Sequence, residues 1–148
     1  MPSYFKLCSG IFGLGGTTSM FNYMLYPENY RDIGASFVSH YYNVMQVDRA
    51  QLNLFYHDQA RMTYEGQEII GKEKIGEKFR SLPANTIRIA TTSVDVHPSE
   101  NSVLILVCGQ LKCDEDPVLP FCEMFFLRKF NDCFLVSDSV FRLSLHNF

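Results

Sequence analysis

Acidic residues at two turn-forming positions carry the clearest chemical signal in this sequence. Asp114-Glu115-Asp116 runs directly into Pro117, and Glu65 sits in the stretch Tyr64-Glu65-Gly66-Gln67. Both groups fall between apolar, strand-forming runs, on connections expected at the surface. Taken alone, such a loop reads first as a solvated turn stiffened by proline. Exposed carboxylates gathered in one place also build a negative field that steers basic partners. Catalytic motifs are missing: there is no glycine-rich phosphate cradle, no GxSxG and no HExxH. Asp95 and His97 stand two apart and could share one side of a strand, but Pro98 follows at once and argues for a turn. The histidines (His40, His57, His97, His146) are scattered. The five cysteines, Cys8, Cys108, Cys113, Cys122 and Cys133, are odd in number and lack CxxC spacing. They read as reduced thiols packed as small hydrophobes in an intracellular protein, not as a disulfide framework or zinc site. No metal and no cofactor is expected.

The elements that must position the acids follow from periodicity. After Pro27-Glu28-Asn29, the residues Tyr30, Ile33, Phe37, Tyr41 and Val44 recur at steps of three and four, one apolar face of a helix. Asp48 followed by Gln51 predicts a capping box opening a second short helix through Leu52 and Phe55. Arg61 to Tyr64 and Gln67 to Ile70 predict two short strands joined at Glu65-Gly66. A third helix carries Ile75, Phe79 and Leu82 and is stopped by Pro83. Beyond it the period becomes two. The phase slip between Ile89 and Val94 predicts a bulge near Ser93. Pro98-Ser99-Glu100-Asn101 reads as a turn. Val103 to Cys108 is apolar throughout, as for a strand covered on both faces. Phe121 to Phe130 and Phe134 to Leu145 are two further long strands around a turn at Asn131-Asp132. Helices followed by a run of strands predict an α+β domain, a curved antiparallel sheet with three N-terminal-side helices on one face. A strand covered twice in so small a domain calls for a second subunit, hence a homodimer. Phe121, Phe125, Phe126, Phe130, Phe134 and Phe141 are assigned to the core, with room for an apolar hollow beneath the helices.

Composition sets the bounds. A chain of 148 residues fits one domain, and 47% hydrophobic with 20% charged residues is a globular balance. The net charge of −3 disfavours binding to phosphate backbones, so no nucleic-acid partner is expected. No run reaches the roughly 18–20 apolar residues of a membrane span. Residues 1–26 are rich in Gly, Ser and Thr. With one cation, Lys6, and an apolar stretch broken by Gly10, Gly13, Gly15 and Gly16, they make a poor secretory signal. They are read as a flexible leader, or as the product of a start assigned upstream of Met20 or Met24. Residues 27–148 form the domain.

From Tyr30 to Phe148 the chain resembles the nuclear transport factor 2 family, carriers of the GDP-bound GTPase Ran. The matching segments are His40-Tyr41-Tyr42, Asp48-Arg49-x-Gln51-Leu52, Thr63-Tyr64-Glu65-Gly66-Gln67, Ser81-Leu82-Pro83, Gly109-Gln110-Leu111-Lys112, Asp114-Glu115-Asp116-Pro117 and Phe141-Arg142-Leu143-x-Leu145-His146-Asn147-Phe148. The resemblance implies a cone-like fold, a homodimer packed sheet to sheet, and a non-enzymatic import carrier found in cytoplasm and nucleus and enriched at the nuclear pore. It implies that Ran inserts a phenylalanine into the hollow while its basic residues pair with Glu65, Asp114 and Asp116. Tyr64, Leu82, Ile87, Leu111 and Phe141 are then the implied lining. Tyr30 falls at the implied site for FxFG nucleoporin repeats. Departures are Tyr30, Tyr64 and Phe134 where the family pattern has tryptophan, Gln46 in place of an acid, and a hairpin around Glu100 one residue shorter. The leader lies outside the family, and its Ile11-Phe12-Gly13-Leu14-Gly15 carries a phenylalanine-glycine core that could fold back onto the repeat site. Rival functions for the same fold are a ketosteroid isomerase-like enzyme, for which the sequence offers no clear acid or base, and a heterodimeric adaptor of an mRNA-export receptor.

Overall fold

A computed structural model describes residues 27–145. The leader, with its phenylalanine-glycine core, and His146-Asn147-Phe148 lie outside the described residues. Helix α1 (Tyr30–Val47) buries Ile33, Gly34, Phe37, Val38, Tyr41 and Tyr42, with Tyr30 and Val44 packed at the margin, so the apolar stripe read from spacing is the face against the sheet. A 3-10 segment (Arg49–Phe55) buries Leu52 and Phe55. Strands β1 (Tyr56–Tyr64) and β2 (Gln67–Ile70) form a hairpin, helix α2 (Lys72–Arg80) follows, and β3 (Ile87–Ser99), β4 (Ser102–Cys113), β5 (Leu119–Phe130) and β6 (Cys133–Leu143) complete the domain.

The six strands form one curved, unclosed sheet in the order β2-β1-β6-β5-β4-β3. All neighbours are antiparallel except β1 and β6, which pair in parallel. The predicted α+β architecture is therefore present, with one parallel seam that a list of strands in chain order does not reveal. Side chains of one face (Val103, Ile105, Val107, Phe121, Phe125, Leu127, Val136, Phe141) are buried against the helices. On the opposite face Leu104, Met124, Phe126 and Val140 are half-buried, and Leu106 is 43% exposed.

Several local expectations change. The Asp48 side chain makes no capping bond. Only its carbonyl is used, accepting from the Gln51 amide at 3.0 Å, and a 3-10 segment forms there. Strand β1 begins at Tyr56, five residues before the predicted Arg61, because a register irregularity between Tyr56 and Arg61 breaks the alternation that marks a strand in sequence. Helix α2 ends at Arg80 with the Ser81 hydroxyl donating to the Lys78 carbonyl at 2.7 Å, ahead of Pro83. Pro98 lies in β3 opposite Val103, not in a turn, which an edge strand tolerates. Asp95 and His97 consequently sit within the strand, opposite Leu106 and Leu104. Val103 to Cys108 alternates between buried and open positions, so the chain itself covers only one face of β4. Cys108, Cys113 and Cys122 are free thiols, as expected, but Cys133 is disulfide-bonded. The turn Glu65-Gly66, the strand Gln67–Ile70 and the bulge between Thr91 and Ser93 stand where spacing placed them.

Close approach limits side-chain size at two points. A Cβ on Gly34 would lie 2.6 Å from Val96 Cγ2, so the absent side chain lets α1 lie close against β3 there. A Cβ on Gly109 would lie 2.5 Å from the Ala90 carbonyl oxygen and 3.0 Å from Phe121 Cε1, beside the bulge. The carbonyl belongs to the neighbouring strand's backbone and cannot rotate away. Gly109→Ala should therefore destabilise the fold by about 1–3 kcal/mol, read as a fall in the urea midpoint. An unchanged midpoint would show that the β3–β4 seam is looser than its geometry.

Candidate functional site

Topology gathers the acids. β1 runs parallel to β6, and two antiparallel steps from β6 reach β4, so the C-terminal ends of β1, β6 and β4 share one end of the sheet. Glu65 follows β1 and Asp114-Glu115-Asp116 follows β4, which brings both acidic turns to that end. Glu65 and Gly66 have φ of 47° and 83°, as a two-residue type I′ hairpin requires. The turn is tied to β6: the Glu65 amide donates to the Phe141 carbonyl at 3.0 Å, and Glu65 Oε1 accepts a short hydrogen bond from the Leu143 amide. Tyr64 stacks on Phe141 with centroids 4.8 Å apart at 13°, and Phe141 stacks in turn on Phe121 at 5.7 Å. Burial, followed by the Glu123 carboxyl, pushes the Tyr64 phenol up to about 12.

The second acidic turn does more than carry charge. Asp114 accepts from the Thr86 amide at 2.8 Å, the Thr86 hydroxyl at 3.1 Å and the Asn85 amide at 3.1 Å. These backbone donors hold its carboxyl below the ordinary range. Asp114 therefore fixes the segment between α2 and β3, from which Ile87 enters the sheet opposite Cys113. The Cys113 thiol is raised by burial and then by the charges of Asp116 and Asp114. Glu115 is fully exposed, 4.0 Å from Lys112.

Sequence reasoning gave no role to two residues beneath this rim. Arg49 Nη2 donates to the carbonyls of Leu82 and Ala84, tying the 3-10 segment to the same α2–β3 connection. Gln46, the departure from an acid, uses both ends of its amide: Nε2 donates to the Tyr42 carbonyl at 3.1 Å and Oε1 accepts from the Ile89 amide at 3.0 Å. A carboxylate could make only the second bond. The nominated lining is tightly packed. Ile87, Leu111 and Phe141 are buried, and Tyr64 and Leu82 half-buried. A cleft of about 300 Å³ opens beside them, lined by Met45 to Ala50, Arg80, Asn85 and Ile87, and one of about 550 Å³ lies between β2 and α2. Tyr30 is not part of this end. It opens α1, under the Arg31 guanidinium at 5.2 Å, whereas Arg49 follows that helix. At 1.5 Å per residue the two are roughly 25 Å apart.

Glu123 is the residue that sequence reasoning missed. It is 4% exposed on the helix-facing side of β5, and Tyr42 Oη donates to its Oε2 at 2.8 Å. Tyr41, Tyr56 and Ser139 form a hydrogen-bonded chain nearby, at 3.0 and 3.2 Å. Burial pushes the Glu123 carboxyl up to about 8 despite the opposing hydrogen bond. The signal was its phase: Phe121, Glu123 and Phe125 share one side of the strand. Neither of these clefts is lined by Glu123, which is buried in the core.

Comparison with known proteins places this geometry. The family model for the nuclear transport factor 2 (NTF2) domain matches residues 33–143. A Caenorhabditis elegans protein described as a probable nuclear transport factor 2 is 36% identical over 132 residues, 84% of this chain and 99% of that protein. Nuclear transport factor 2 of Oryza sativa subsp. japonica is 34% identical over 116 residues, 76% and 94% of the two chains. The solved structure of nuclear transport factor 2 from Cryptosporidium parvum superposes with a TM-score of 0.78 at 31% identity, covering 82% of this chain and 99% of that one.

Glu123 makes the core sensitive to pH. Its ordinary value is 4.5 and its folded value about 8, so between these limits the unfolded chain has lost a proton that the folded chain still holds. Stability must fall as pH rises through that window and level off above it. At 1.36 kcal/mol per unit the full penalty is on the order of 3–5 kcal/mol. Glu123→Gln keeps an acceptor for Tyr42 and removes the ionisation. It should be more stable than the parent by a margin that grows from pH 5 to pH 8 in urea titrations. A constant margin would mean that Glu123 is not the titrating group.

Proposed function

The chain belongs to the nuclear transport factor 2 family, and on that premise we propose that it is a non-enzymatic carrier in nuclear transport which binds GDP-bound Ran at the acidic end of its sheet. The observation that carries this reading is that both acidic turns, Glu65 after β1 and Asp114-Glu115-Asp116 after β4, stand at one end of the sheet, with Glu65 tied to β6 beside the Tyr64–Phe141 stack. A phenylalanine of Ran docks over the half-buried Tyr64 and Leu82, above the buried Ile87, Leu111 and Phe141, and basic residues beside it pair with the three acids. Because Asp114 already holds Asn85 and Thr86 in place, it meets Ran as a preset charge, and little side-chain freedom is lost on binding. Discrimination between nucleotide states comes from Ran, whose switch region presents the phenylalanine and its basic neighbours together in one state only.

Movement through the pore uses a different face. Tyr30 contacts FxFG repeats at the start of α1, far enough from the acidic rim for cargo and pore to be held together. Tyrosine covers less area than tryptophan, so each repeat contact is weak and brief. The open side of the sheet, with Leu104, Leu106, Met124, Phe126 and Val140, packs against a second copy to give a homodimer. This reading places the protein in cytoplasm and nucleus, concentrated at the pore.

Titration with purified Ran in both nucleotide states tests the assignment. Binding should be confined to the GDP form. Glu65→Lys should weaken it at least tenfold, since breaking one buried charge pair costs about 2–5 kcal/mol. Glu65→Gln, which keeps an acceptor for the Leu143 amide, should weaken it less. Both variants should sediment as the parent does. Tight binding by Glu65→Lys, or equal binding of the two nucleotide forms, would remove Glu65 or the carrier role from the proposal. Tyr30→Ala should lower capture on immobilised FxFG repeats while leaving Ran binding unchanged; loss of both would place Tyr30 in the support of the fold.

A further inference from the structure

The stacked rings at the acidic end form a row that finishes on a cation. Phe121, Phe141 and Tyr64 follow one another from β5 through β6 to β1. Phe141 is the β6 partner of Tyr64 and covers the ring face turned towards β6. Gln67 is the β2 partner of Tyr64, on the other side of β1. There the half-buried Lys78 reaches in from α2. Its ammonium lies 4.9 Å from the centre of the Tyr64 ring and donates to Gln67 Oε1 at 3.2 Å. Tyr64 thus has a ring on one face and a cation on the other. We propose, on the carrier reading above, that Lys78 is a displaceable cap on Tyr64, which leaves the ring when the phenylalanine of Ran docks and so sets the affinity of the site.

The contacts of Lys78 suit it to this exchange. An ammonium over a ring that is partly open to water is weakly held, by a factor of about two to five. A second aromatic ring in its place gains a comparable contact and buries apolar surface as well. The lysine stem is flexible, and the ammonium has a destination. Lys78 lines the cleft of about 550 Å³ between β2 and α2 together with Glu68 and Glu77, both exposed. Moving into that cleft exchanges the ring for carboxylates. It also takes a positive charge away from Tyr64, whose neighbour Glu65 is to pair with a basic residue of Ran. Lys74, one turn earlier on α2, lines the same cleft and carries the same charge.

The test begins with the free chain, isotopically labelled at lysine. The ε-methylene signal of Lys78, identified as the one missing from Lys78→Arg, should lie upfield in the ring current of Tyr64 and lose that shift in Tyr64→Leu. Saturation of the parent with GDP-bound Ran should abolish the shift. In titrations Lys78→Ala should bind GDP-bound Ran about two- to five-fold more tightly than the parent. Lys78→Arg, whose planar group stacks on an aromatic face, should bind no more tightly than the parent, and Lys74→Ala should gain less than Lys78→Ala. The cap is overturned if the free chain shows no upfield shift, if the shift survives saturation, if Lys78→Ala gains nothing, or if Lys74→Ala gains as much. Those results leave the carrier reading standing. A parent that does not bind GDP-bound Ran removes that reading and the cap with it.

Discussion

The packing of α1 onto the inner face of the sheet governs everything else in this domain. Its centre is an aromatic knot. Phe37 meets Phe125 at 4.8 Å and Phe55 at 5.8 Å, both edge to face, and Tyr41 meets Phe125 at 4.7 Å. Three consecutive segments (α1, the 3-10 turn and β1 through Tyr56) are tied to the distant β5 by these rings. Edge-to-face contacts of this kind add about 0.5–1.5 kcal/mol each beyond burial. Their larger effect is directional, because they set where α1 ends and thus where Gln46 and Arg49 reach the sheet.

From that anchor the acidic end is built by polar contacts between backbone and side chain. Gln46 holds the exposed edge at Ile89, Arg49 holds the carbonyls of Leu82 and Ala84, and Asp114 holds the amides of Asn85 and Thr86. The connection between α2 and β3 is short on regular structure yet pinned from three sides. The same carboxylates that give the surface its charge are structural acceptors, so charge and shape at this end cannot be varied independently. Glu123, by contrast, is an acid whose charge the core suppresses, with Tyr42 donating to it.

The sequence was most legible where a period met a clear break. The stripe of α1, the Glu65-Gly66 turn, the bulge near Ser93 and the Asn131-Asp132 turn follow directly from spacing and turn chemistry. The acidic loop was visible as residues but not as a site, since no local feature tells that β1 and β4 end together. That depends on the parallel pairing of β1 with β6, strands separated in the chain by β2, α2, β3, β4 and β5. Strand β1 was cut short because its irregularity hides the alternation. Glu123 was overlooked because its residue type outweighed its phase among phenylalanines. Gln46 looked like the loss of an acid, and its gain became evident only when the Ile89 amide was seen opposite it.

The parallel seam also has a consequence for how the chain acquires this fold. Among the described strands β6 comes last in the chain; it lies between β1 and β5 and makes the backbone pairing that joins the N-terminal hairpin to the three-strand meander. Until it emerges from the ribosome, β1 exposes one unpaired edge and β5 another, and the knot around Phe125 has no continuous sheet beneath it. Such non-local pairing is slow, and unpaired edges invite association with other chains. The nascent protein is therefore most vulnerable before β6 emerges, and shortening the chain into β6 would split the sheet into a hairpin and a meander held together through the helices, not merely trim its rim.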